Sequence, residues 1–239
     1  MNAACRWPKA RPPLTPEQTR VREDFMRYWH EILPSRYRAI ENFNHRYPLR
    51  RWHPSTPCRV FEIGAGLGEH IAYENLHNVD YYALELRDHI AATIRHRFPI
   101  VTTIIGDIQN HLAFPSGYFD RIVAIHVLEH LPDLPRALEE INRLLAPTGR
   151  FDVVIPCEGG LSYAIARRIS AQRIFEKRYA MSYDWFIRSE HVSRAHEILF
   201  ELGRWFRITH SSYFPFLVPS INLNLCIGLS LTKPPACPS

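Results

Sequence analysis

Residues 60–70 read VFEIGAGLGEH. An apolar run ends at Ile63, and Gly64, Gly66 and Gly68 then stand at alternate positions. The run predicts a short buried strand, and the glycines predict a turn into a helix. Glycine takes positive φ without penalty and lets a ligand approach the backbone with no Cβ in the way. A dinucleotide loop of the form G-x-G-x-x-G would need its third glycine where Glu69 stands, and no Gly-Lys-Ser/Thr follows, as a P-loop requires. Glu62 lies inside the strand, two positions before the first glycine. A buried carboxylate repels a pyrophosphate and attracts a cation. The loop therefore suits a nucleotide-like cofactor that carries positive charge and no phosphate.

Outward from this loop, strand and helix patterns alternate. YYALEL (81–86), VTTIIGD (101–107), FDRIVAIHVL (119–128) and GRFDVVIP (149–156) read as strands, with RDHIAATIRHRF and LPRALEEINRLL as helices between them. Strands joined by helical crossovers predict an α/β fold, a doubly wound and mostly parallel sheet. WFRITHSSYF and LNLCIGLSLT, closely connected, predict an antiparallel final strand. Between them and the parallel region, residues 161–191 form a cationic, aromatic-rich helical insertion. Before the sheet, Thr15-Pro16-Glu17 reads as a helix start, with two helices to about Tyr47 forming an N-terminal lid. Residues 1–15, rich in proline and arginine, read as disordered, and 49–59 as a linker. The predicted units are a tail and helical lid over 1–57 and a sheet domain over 58–239.

The 239 residues are 46% hydrophobic, enough for a substantial core, and the net charge of +5 suits an anionic ligand without arguing for nucleic acid. The five cysteines (Cys5, Cys58, Cys157, Cys226, Cys237) include no CxxC pair, so the spacing assigns no metal ligands and no disulfide framework. The apolar stretch 214–231 is interrupted by two prolines and two asparagines and reads as strands, not a membrane span. With no signal-peptide pattern at the start, a cytoplasmic protein is expected.

Four matches in order make the chain resemble the class I S-adenosylmethionine-dependent methyltransferases, in particular the small-molecule subgroup that modifies quinones and sugars. VFEIGAGLG resembles the first motif, YYALEL the end of the second strand, IIGDIQN the end of the third, and FPSGYFDRIVAIHVLEHLPD the fourth-strand motif. The resemblance implies a Rossmann-like methyltransferase fold and S-adenosylmethionine as cofactor, with S-adenosylhomocysteine as product. It implies that Glu62, Gly64, Ala65, Gly66 and Gly68 hold the methionine end. Glu85, seventeen positions after Gly68, would accept from the ribose hydroxyls with Leu86 beside it. Asp107 would accept from the adenine amino group, Ile108 would flank the ring, and His126 would face the methyl group. APTGR, before the fifth strand, departs from the usual Pro-Gly-Gly at Thr148.

Methyl transfer to oxygen needs a base, and His126 and His191 have a reference pKa suited to that work. Glu129 and His130 read as supports of the loop. Within the insertion, Arg167, Arg168, Arg173, Lys177, Arg178, Tyr179, Tyr183 and Trp185, together with Tyr28 of the lid, are candidate contacts for an anionic small-molecule acceptor. A phosphorylated sugar-type acceptor methylated on oxygen is the preferred reading, with nitrogen as the alternative atom. An RNA or protein substrate, a non-catalytic cofactor-binding protein and a dehydrogenase are the competing readings. NAD binding without S-adenosylmethionine binding would favour the last.

Overall fold

The computed structural model describes residues 6–53 and 57–235, without the side chains at positions 30, 31 and 33–35. Cys5, Cys237, residues 54–56 of the linker and the side chains of His30 and Leu33 lie outside the described residues. The strands form one sheet: β1 (Cys58–Ile63), β2 (Val79–Glu85), β3 (Thr102–Ile105), β4 (Phe119–Ile125), β5 (Leu145–Pro156), β6 (Arg207–Phe214) and β7 (Cys226–Thr232). Their order is β3-β2-β1-β4-β5-β7-β6. The first five are parallel, and β7 lies antiparallel between β5 and β6. The order reverses between β1 and β4, and in such sheets the carboxyl ends of the strands at that reversal open a ligand crevice.

Alternation along the strands covers both faces. Phe61 and Ile63 of β1 pack with α4 (Leu134–Leu144) and α8 (Ala195–Trp205) on one side. Val60 packs with Ile94 of α3 (Asp88–Arg97) on the other. On that second face α2 (Arg38–Arg46) and the residue after it add Phe43 and Tyr47 against Val154 and Cys226. Among the described residues no helix is long and apolar enough to cross a membrane.

Three local expectations change. The glycine turn is followed by a run of turns and one 3-10 turn at Ile71–Tyr73, not by an α-helix. The backbone N–H of His77 donates to Asn75 Oδ1, and Asn78 takes a φ of 59°, so the chain reverses before a helix can propagate. Residues 6–15, read as disordered, instead lie along the domain as a strap. Trp7 Nε1 donates to Glu201 (3.2 Å), Lys9 Nζ pairs with Glu197 (2.8 Å), and the Arg11 guanidinium donates to the His130 carbonyl. Finally, the insertion is three short helices, α5 (Leu161–Arg167), α6 (Arg173–Tyr179) and α7 (Asp184–Glu190), with a π-helical turn between the first two.

The first helix, α1 (Pro16–Arg36), starts where the sequence places it. Thr15 Oγ1 accepts from Gln18 N and Gln18 Oε1 accepts from Thr15 N, a reciprocal cap. Its Phe25 is buried edge-on to Phe175 (5.0 Å) and Phe186 (5.1 Å), so α1 packs on the insertion.

Below the sheet, Arg121 of β4 has no exposed surface. It donates to Asp152 (3.0 Å), Glu74 (2.7 Å) and the Pro48 carbonyl (2.7 Å), and its guanidinium lies 4.9 Å from the Trp52 ring. Asp152 in turn accepts from Arg150 and Ser230, both at 2.7 Å. Truncation here leaves Glu74 without its guanidinium and Asp152 with that of Arg150 alone. Arg121→Ala is expected to cost about 3–5 kcal/mol in urea unfolding, against less than about 1 kcal/mol for exposed Arg59→Ala. Equal losses in the two variants would show that the network carries no net weight.

Candidate active site

The glycine turn sits at the carboxyl end of β1. Gly64, Gly66 and Gly68 have φ of 65°, 54° and 81°, the left-handed region that disfavours side chains. Gly68 has a second constraint: a Cβ there would lie 2.5 Å from the Phe98 ring. The third glycine thus lets the turn pack against the end of α3. The turn is tied to β2, since Gly64 N and Ala65 N both donate to the Leu84 carbonyl (2.8 and 3.2 Å).

Glu85, the last residue of β2, reaches back into this turn. It accepts from Gly66 N (3.2 Å) through one oxygen, and from Arg87 N (3.2 Å) and Arg87 Nε (3.0 Å) through the other. The next residue, Leu86, is 64% exposed and offers an apolar surface beside it. Asp107, beyond β3, accepts from Gln109 N (2.9 Å) and from Gln109 Nε2. Ile108 departs from its expected role: it is 2% exposed and packed in the core, so its side chain cannot flank a ligand ring. Leu86 supplies the accessible apolar side chain instead.

Glu62 is 3% exposed and accepts from the Tyr81 hydroxyl at 2.8 Å. Burial pushes its carboxyl up to about 8, with the Tyr81 donor pulling the other way. A cation bound beside it would bring the carboxylate back to its charged form. Tyr81 was within reach of sequence reasoning as part of YYALEL, but its partner could be named only once β1 and β2 were paired in register, Val60 beside Tyr81.

The two candidate bases separate sharply. Burial opposes charge on His126, but hydrogen bonds to the Cys226 sulfur and the Glu129 carboxylate (3.2 Å to Glu129 Oε1) outweigh it, and its imidazole titrates well above the ordinary value. This direction favours the imidazolium and counts against His126 as the base. Its φ of 53° is also left-handed, so the turn after β4 is strained. His191 instead donates from Nδ1 to Glu158 Oε2 (3.1 Å), which leaves the lone pair on Nε2. Glu158 is also paired with Arg167 and is held below the usual carboxylate range despite its burial. Sequence reasoning missed Glu158, Gln109 and Arg87, each of which orients a site side chain.

Most of the proposed acceptor contacts serve packing. Arg178 pairs with Asp24 of α1 (3.1 Å) and lies 4.6 Å from the Tyr28 ring, so both hold α1 to α6. Tyr179 donates to the same Asp24 (2.6 Å). Tyr183 is buried, and Trp185 stands edge-on to Phe175 at 5.7 Å. Their area is needed to build the insertion's own small core. Arg173 remains exposed, in a groove of about 640 Å³ with Arg168, Ile169, Gln172, Glu176 and Lys177.

The comparisons agree with this geometry. Residues 61–153 match the methyltransferase-domain family. Those residues carry a methyltransferase domain, and the sheet that contains them has the fold of S-adenosylmethionine-dependent methyltransferases. Among curated proteins, this methyltransferase is 26% identical over 155 residues to a probable chloroplastic tocopherol O-methyltransferase of Oryza sativa subsp. japonica, covering 61% of this chain and 42% of that one. The methyltransferase thus spans less than half the length of that relative. Among solved structures, the PH0226 protein of Pyrococcus horikoshii OT3 superposes with a TM-score of 0.64 at 13% identity, covering 87% of this chain and 99% of that one. A TehB-like S-adenosylmethionine-dependent methyltransferase of Corynebacterium glutamicum gives 0.61 at 16% identity, over 90% and 100% of the two chains. These two likenesses concern the fold.

Because the folded value of Glu62 is raised, the fold holds a proton that the unfolded chain has released. Its stabilising contribution is complete below the ordinary value of 4.5 and is lost as pH rises towards about 8. In urea unfolding at about pH 6 and about pH 9, wild type is expected to lose more stability than Glu62→Gln. Parallel behaviour of the two would show that Glu62 is ionised throughout.

Proposed function

We propose that this methyltransferase moves a methyl group to an oxygen of a small, anionic acceptor. The observation that carries the donor side is the pair of acids framing a glycine turn at the sheet's reversal point, Glu62 below it and Glu85 bonded to its Gly66 amide. The residues fit S-adenosylmethionine: Glu62 suits the ammonium of the methionine end, and the turn admits backbone contact. Glu85 suits the ribose hydroxyls, Asp107 the adenine amino group and Leu86 the ring face. When bound, S-adenosylmethionine supplies a methyl group on a sulfonium that is already a good leaving group. What remains for the chain is alignment, exclusion of water and removal of the acceptor's proton.

His191, the candidate base that keeps a lone pair, is assigned to the acceptor hydroxyl, with Glu158 holding its tautomer. Anionic character of the acceptor is supported by the groove along the π-helical turn and α6, where Arg168, Arg173 and Lys177 lie with one acid, Glu176. The aromatic layer of α1, α6 and α7 forms the wall of that side and takes the part of the lid. A phosphorylated sugar is the acceptor class to screen first. The O-methyltransferase relative is consistent with oxygen as the acceptor atom.

Calorimetric titration with S-adenosylhomocysteine is expected to show binding to wild type, weakened roughly 10- to 100-fold in Glu85→Ala as a charge-assisted contact is lost, with no binding of NAD. Tight NAD binding alone would overturn the donor assignment. With an active acceptor in hand, Arg173→Ala should raise KM for it about tenfold, the loss of one ion pair, and leave S-adenosylhomocysteine affinity unchanged.

A further inference from the structure

Beside the turn after β4 lies a cluster that sequence spacing does not announce. Glu129 and His130 follow β4, and His191 follows α7, sixty-one positions later. Each of the three offers a ligating atom within 4.8 Å of the others. We propose that Glu129, His130 and His191 bind a divalent transition-metal ion of the zinc, cobalt or iron(II) class.

Three independent features support this reading. Glu129 is 1% exposed, and its Oε2 has no hydrogen-bond partner, while Oε1 is engaged with His126. An unpartnered carboxylate oxygen at such depth is costly unless something positive meets it. Both histidines are set in the ligating tautomer. His130 Nδ1 faces the Glu190 backbone carbonyl at 2.8 Å, which can only accept, and His191 Nδ1 faces the Glu158 carboxylate. In both rings Nδ1 therefore carries the proton and Nε2 the lone pair, the second-shell arrangement that fixes metal-binding imidazoles. The cluster is also anchored on both sides, since Val192 N and Ser193 N donate to the Glu129 carbonyl (2.9 and 3.2 Å). The turn after β4 and the end of α7 are held together before any ion arrives.

The ligand set selects the metal. Two imidazole nitrogens and one carboxylate oxygen suit a borderline cation, whereas magnesium and calcium take oxygen ligands throughout. Three protein ligands leave at least one coordination position open. Bonds of about 2.0–2.1 Å would draw the three atoms to roughly 3.3–3.4 Å apart, a tightening of at most about 1.5 Å from atoms that lie within 4.8 Å of one another. The use of the ion rests on the methyl-transfer reading but replaces His191 as its base: with the Nε2 lone pair ligating, an acceptor oxygen taking the open position would lose its proton to solvent more readily.

The test is titration of chelator-treated full-length protein with Co²⁺, followed by visible absorption, and with Zn²⁺ by calorimetry. One ion per chain and ligand-field bands for Co²⁺ are expected in wild type and in His111→Ala, which removes an exposed histidine outside the cluster. His191→Ala should abolish the bands, and Glu158→Gln, which leaves all three ligands in place, should weaken binding about 10- to 100-fold. No spectral change in wild type up to about millimolar Co²⁺, a weak-binding limit, would overturn the proposal. So would binding indifferent to His191→Ala, which would put the ion on other histidines. S-adenosylhomocysteine titration of the same samples reports separately on the donor site. Its failure alongside intact ion binding would remove the methyl-transfer role and leave the ion site standing.

Discussion

A guanidinium with no contact to water holds this structure in register. Arg121 stands in the central strand β4 and joins β5 through Asp152, the segment after the glycine turn through Glu74, and the chain after α2 through the Pro48 carbonyl. Burying a cation is costly, and the cost is offset here by two carboxylates, a carbonyl and an aromatic face arranged around its fork of donors. The consequence is geometric. The elements that must sit correctly for the crevice to exist, β1 with its turn, β4 and β5, share one rigid polar hub beneath the sheet.

Above that hub, the site depends on where charge is placed. Glu62 is buried without a cation and is held partly neutral, with Tyr81 as its hydrogen-bond donor. Glu85 is buried with Arg87 and a turn amide on it. The two acids therefore differ in their partners: Glu62, inside β1, is met by a phenol, and Glu85, at the end of β2, by a guanidinium and a backbone amide. The same contrast separates the histidines. Glu129 and Cys226 shift His126 towards its charged form, while His130 and His191 have their Nδ1 atoms on oxygen acceptors.

The acceptor side is built by a different principle. Aromatic rings from α1 and from the insertion make a small second core around Phe25 and Phe175, with Asp24, Arg178 and Tyr179 closing its rim. Residues that look like ligand contacts in a linear reading, such as Tyr183 and Trp185, are consumed in making that core. The cations of the π-helical turn and α6, Arg168, Arg173 and Lys177, stay exposed. The strap of residues 6–15 crosses to the same region through Arg11 and the His130 carbonyl, so the N-terminal segment takes part in shaping it.

The sheet, its parallel strands, the antiparallel finish and the placing of Glu62 and Glu85 beside the glycine turn were legible in the sequence, because each rests on local periodicity or on a glycine turn at a strand end. The helix start at Thr15 was legible for the same reason. Other features depended on partners far along the chain. The strap looked disordered because its Lys9, Trp7 and Arg11 find their partners more than a hundred positions away. Ile108 looked like a ring contact, and burial turned it inward. His126 and His191 looked alike as bases, and only their neighbours, Glu129 with Cys226 for one and Glu158 for the other, set their protons differently. By itself the sequence determined the fold and the charge of the cofactor crevice, since those follow from short-range pattern. The tertiary structure alone decided which partner meets each histidine ring and the meeting of Glu129, His130 and His191, since hydrogen bonds and Coulomb interaction act between residues that only folding brings together.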